Sequence, residues 1–195
     1  EDMLTTSAAV ADTHRFQLVE ASPSADDLER MAALLQSAER PLALLGGTVW
    51  GAEACADFKH FAESAGLPVA CAFRFQDLFD NRHPNYIGDV GIGVNPKLAE
   101  RVKGADLLVT VGVRLGEMTT NGYALVESPT PAQCLVQVFP GPDELGRVFH
   151  AELPIAAGNL DLSQRTEQGS ADLQQAASSM RQMTEAARHS SEAMG

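Results

Sequence analysis

Leu42-Ala43-Leu44-Leu45-Gly46-Gly47-Thr48, followed after a helical interval by Leu67-Pro68-Val69-Ala70-Cys71-Ala72, decides the fold. Each is a short apolar run of strand length bounded by glycine or proline, the pattern of a strand covered on both faces. Between them, Gly51–Ala65 carries Ala54, Phe58, Phe61, Ala62 and Ala65 on one helical face. Gly66 suits the C′ position of that helix, and Pro68 lies just beyond. The unit Leu42–Ala72 has the length that a right-handed parallel strand–helix–strand crossover needs.

Upstream, Ser24–Ala38 is predicted as a helix whose start is marked by Ser24 three residues before Asp27, a variant of the capping box. Leu28, Met31, Ala32, Leu35 and Ala38 share its apolar face. Downstream, Phe73–Pro96 is predicted as one long polar connection rich in Asp, Asn and Gly, and connections of that length are often functional. Asn95-Pro96 is an N-cap and N1 pair for a helix running through Val102. Further strands are predicted at Leu107–Val111, Cys134–Phe139 and Leu153–Ala156, with a helical turn at Pro142–Leu145. Short apolar strands alternating with helices predict a three-layer α/β fold around a parallel sheet. Residues 1–23 are read as a linker, 24–158 as the domain, and 159–195, rich in Gln, Ser and Ala, as a C-terminal helix and linker.

The 195 residues suffice for one domain, and 45% hydrophobic against 21% charged residues predicts a folded chain. A net charge of −12 argues against nucleic acid or an anionic membrane as partner, since both would be repelled. No run approaches the ~18 apolar residues of a membrane helix. Three dispersed cysteines, Cys55, Cys71 and Cys134, predict packed thiols in a reduced, cytoplasmic protein. The five histidines show no zinc-type spacing, so a metal site is not expected. The chain begins Glu1-Asp2-Met3, and the expectation is a piece of a longer protein.

Arg40-Pro41-Leu42-Ala43-Leu44-Leu45-Gly46-Gly47 and Gly66-Leu67-Pro68-Val69-Ala70, with His83-Pro84-Asn85-Tyr86-Ile87-Gly88, Ala105-Asp106-Leu107-Leu108, Gly112-Val113-Arg114 and Pro142-Asp143-Glu144-Leu145-Gly146-Arg147, form an ordered set. The set resembles the central domain of thiamine-diphosphate-dependent enzymes of the acetolactate synthase, pyruvate oxidase and benzoylformate decarboxylase group. The resemblance implies a Rossmann-like six-stranded sheet inside a three-domain parent, a lyase or transferase acting on a 2-keto acid. It implies that thiamine diphosphate and magnesium are held by flanking domains through an activating glutamate and a Gly-Asp-Gly motif. Here Gly88-Asp89-Val90 fails at the third position. The implied role is non-catalytic: to join the cofactor-binding domains and help shape a homo-oligomer.

The resemblance also carries a nucleotide alternative, because some members bind ADP or FAD in this domain. Gly46-Gly47-Thr48 follows a strand and enters a helix, where backbone N–H groups receive phosphate well; a glycine pair equally serves a tight turn. Gly112 and Arg114 follow the strand Leu107–Val111, and a guanidinium there holds a diphosphate or pairs with a carboxylate such as Glu117 or Asp89. Arg74, just past Ala72, is either a helper at that site or a surface charge. Two departures weigh against FAD: Leu115-Gly116-Glu117-Met118 follows Arg114, and Val136-Gln137-Val138-Phe139-Pro140 lacks the strand-end carboxylate that grips a ribose. Gly158-Asn159 likewise replaces a frequent Gly-Asp.

Overall fold

A computed structural model describes residues 21–48 and 50–157, together with Ser7 and Ala9. The predicted C-terminal helix and most of the N-terminal linker lie outside the described residues. The core is a six-stranded, all-parallel sheet in the order β3-β2-β1-β4-β5-β6. Its strands are β1 (Pro41–Leu45), β2 (Val69–Ala72), β3 (Tyr86–Val90), β4 (Leu107–Val111), β5 (Cys134–Phe139) and β6 (Leu153–Ala156).

Alternate residues of the inner strands β1, β2, β4 and β5 feed two apolar layers. Ala43, Leu45, Val69, Cys71, Val109, Val111, Val136 and Ile155 face one layer. It is covered by α1 (Ala25–Ser37) and by α2 (Ala52–Ala65), whose Ala54, Phe58 and Ala62 are buried. Leu42, Leu44, Ala70, Leu108 and Leu135 face the other layer, under Leu98 and Val102 of α3 (Pro96–Lys103) and under Leu115, Leu125, Val126 and Phe149 from the loops. Burial on both faces explains why these strands read as unbroken apolar runs rather than alternating ones.

Local signals set the helix ends. Ser24 Oγ accepts from the Asp27 N–H at 3.1 Å, while the Ser24 N–H donates to Asp27 Oδ2 at 3.1 Å, so the capping box is complete. Asn95 Oδ1 accepts from the Lys97 N–H at 2.9 Å at the head of α3. Gly66 closes α2 in the left-handed conformation.

The connection Phe73–Pro96 is not one long loop, because β3 lies inside it. This edge strand is half-exposed and broken in pattern by Gly88-Asp89, so its own sequence carries little strand signal. Its position comes from tertiary bonds. Asn85 Nδ2 donates to the carbonyls of Ala62 (2.8 Å) and Leu67 (3.0 Å), and the Asn85 carbonyl accepts from the Val69 N–H at 2.8 Å. A Cβ at Gly88 would stand 3.1 Å from Leu98 Cδ2, so the missing side chain lets α3 settle on β3.

Candidate functional site

β1 and β4 are neighbours in the sheet, yet the chain winds outward from them in opposite directions. Such a switch point leaves a crevice beyond the carboxyl ends of the two strands. Here that crevice has a volume of about 500 Å³ and is lined by Gly47 and Thr48 from the β1 exit and by Gly112, Val113 and Arg114 from the β4 exit. The structure therefore brings together four of the six residues that the sequence marks, Gly47, Thr48, Gly112 and Arg114. Of the other two, Gly46 is buried beside Gly47 and Arg74 is exposed, apart from the lining.

The glycines answer a packing need. Gly47 and Gly112 both have positive φ (83° and 68°). A Cβ on Gly47 would collide with the Gly112 carbonyl, and one on Gly112 would lie 2.5 Å from the Gly46 carbonyl oxygen. The two strand exits cross backbone to backbone, which only glycine permits. Trp50 clamps the crossing: its indole Nε1–H donates to the Gly46 carbonyl at 2.7 Å, and its ring meets Phe58 edge-on at 5.8 Å.

Arg114 pairs with a carboxylate, and that carboxylate is Glu144 rather than Glu117 or Asp89. Nε donates to Glu144 Oε1 at 3.0 Å, and Arg147 Nη1 lies 3.7 Å from Glu144 Oε2. Glu144 reaches in from a short 3-10 turn, Pro142–Glu144. Arg74 is exposed, has a positive φ of 71°, and lays its guanidinium over the Phe73 ring at 5.2 Å.

Phe73, Phe75, Tyr123, Phe139 and Val148 are among the remaining wall residues. Sequence reasoning does not find them as a set, since they come from four separated segments and share no period. Glu144 lies in a segment already singled out by the resemblance, but no spacing assigns it to Arg114.

Burial pushes the Cys71 thiol up to about 12, with Asp77 and Asp89 adding to the rise, and burial also raises Cys55 and Cys134. All three stay protonated at neutral pH, and Cys71 and Cys134 pack into the apolar core. Among the described residues no group of three or more His, Cys, Asp or Glu side chains could hold a metal ion. Gly88-Asp89-Val90 runs as β3, paired to β2, and forms no phosphate loop.

Residues 28–163 match the family described as "Thiamine pyrophosphate enzyme, central domain". Over 137 residues the chain is 34% identical to the sulfoacetaldehyde acetyltransferase of Rhodobacter capsulatus, covering 70% of this chain and 23% of that protein. It is 26% identical over 134 residues to the acetolactate synthase large subunit of Corynebacterium glutamicum (69% and 21% covered). With the 3D-(3,5/4)-trihydroxycyclohexane-1,2-dione hydrolase of Geobacillus thermodenitrificans it shares 32% identity over 106 residues (54% and 17%). The chain thus spans less than a quarter of the length of these relatives. A doubly wound parallel sheet whose switch point is closed by Gly47, Gly112 and Trp50, matched over this length, makes the chain a member of the thiamine pyrophosphate enzyme central-domain family.

Proposed function

We propose that this chain is the non-catalytic middle part of a thiamine-diphosphate-dependent 2-keto acid decarboxylase or carboligase of acetolactate synthase type. It joins two flanking domains that hold thiamine diphosphate and magnesium, and it helps build a homo-oligomer. The carrying observation is the match of residues 28–163 to the thiamine pyrophosphate enzyme central domain. When bound elsewhere in the parent, thiamine diphosphate supplies the carbanion that attacks the keto acid. This chain's own residues supply a rigid sheet and its loops. No helix among the described residues is long and apolar enough to cross a membrane, and the three free thiols support a reducing, cytoplasmic setting.

The test is direct. The 195-residue chain, given pyruvate, thiamine diphosphate and magnesium, is expected to release no carbon dioxide above a protein-free control. The longer polypeptide of its reading frame is expected to release it. Turnover by the 195 residues alone overturns the reading.

A second reading is a module that binds ADP or FAD at Gly46, Gly47, Thr48 and Arg114, with Arg74 assisting. The placement of Arg114 at the switch point favours it. Its ion pair with Glu144 weighs against it.

A further inference from the structure

The crevice is walled mostly by rings and apolar side chains, and its charged lining residues are Arg114, Glu117 and Glu144, one cation against two carboxylates. Arg114 already holds an anion of the protein's own, since Glu144 accepts from its Nε at 3.0 Å. The carboxylate lies inside and the guanidinium groups outside: the Glu144 side chain is 13% exposed, against 63% for Arg114 and 62% for Arg147. At the end of β5, where a carboxylate would grip a ribose, stand Phe139 and Pro140.

We propose that Glu144 is the specificity-determining residue of this crevice, occupying Arg114 as an internal anion so that the site excludes diphosphates and takes an uncharged ligand with a flat aromatic body. A diphosphate must either displace Glu144 from its two arginines or lie beside two carboxylates in a partly desolvated pocket, and both are unfavourable. An uncharged ring meets no such barrier. It stacks among Phe73, Phe75, Tyr123 and Phe139, with the hydroxyls of Thr48 and Thr119 on the same lining for its polar edge. Ligand choice at the switch point is independent of the parent's catalysis.

Adenosine and ADP isolate the charge, since they share one aromatic body and differ by the diphosphate. Calorimetric titration of the 195-residue chain is expected to show adenosine binding tighter than ADP by about tenfold or more. Glu144→Gln keeps the shape and removes the charge. In that variant ADP should tighten by about tenfold or more, while adenosine changes less than about threefold. Adding Arg114→Gln should abolish the gain. Circular dichroism and an unchanged thermal midpoint identify folded variants, and the two-probe comparison on the unsubstituted chain needs no variant. ADP binding as tightly as adenosine, equal changes for both probes in Glu144→Gln, or no binding of adenosine, overturns the proposal.

Discussion

Asp106 shows how one side chain can anchor a sheet. Its carboxyl accepts from the Glu39 N–H at 2.7 Å and the Arg40 N–H at 2.9 and 3.0 Å, tying the approach to β1 to the start of β4. Desolvation pushes its pKa up, but these backbone donors outweigh it and hold the group below the usual carboxylate range. A carboxyl whose pKa falls on folding stabilises above its unfolded value of about 4 and loses that contribution as pH drops through the folded one. Asp106→Asn should therefore lower the urea midpoint at pH 7, with the deficit shrinking as both proteins are taken toward pH 3. A deficit that stays constant over that range would contradict the assignment.

At the level of elements, legibility follows from where the information resides. β1, β2, β4 and β5 are legible because each is an apolar run covered by a layer on each side, and β6 because Leu153 and Ile155 alternate into one layer while Pro154 is exposed. β3 is not, because Tyr86-Ile87-Gly88-Asp89-Val90 is recruited by contacts from outside itself. The same division holds at the crevice. Gly46-Gly47 and Gly112-Val113-Arg114 announce a turn and a cation at strand ends. The aromatic walls and the Glu144 partner depend on how distant loops fold over the sheet. Asn85 makes the dependence of β3 testable. Asn85→Ala removes two side-chain bonds to α2 and its exit, which should cost about 1–3 kcal/mol. The loss should appear first as faster amide exchange at Tyr86–Val90, with β1 and β4 slowest to follow. Uniform acceleration across the sheet would contradict an independent edge.

Across the whole molecule the two halves of the sheet, β3-β2-β1 and β4-β5-β6, meet at a single seam. That seam is laddered strand to strand and crossed at its carboxyl end by Gly47 over Gly112. Gly47→Ala places a methyl group against a carbonyl that belongs to the other half and imposes a positive φ on alanine. A loss of about 2 kcal/mol or more is expected in urea unfolding. Gly116→Ala lines the same crevice but meets nothing within 4 Å, so its effect should stay within about 0.5 kcal/mol. Equal losses at the two positions would remove the seam as the explanation. The chain has one tryptophan, and it is Trp50, pinned by its indole N–H to this same crossing. Its emission is thus a native fluorescence reporter of the switch point: opening of the seam changes the polarity around one indole, and that change can be followed in real time without attaching a label.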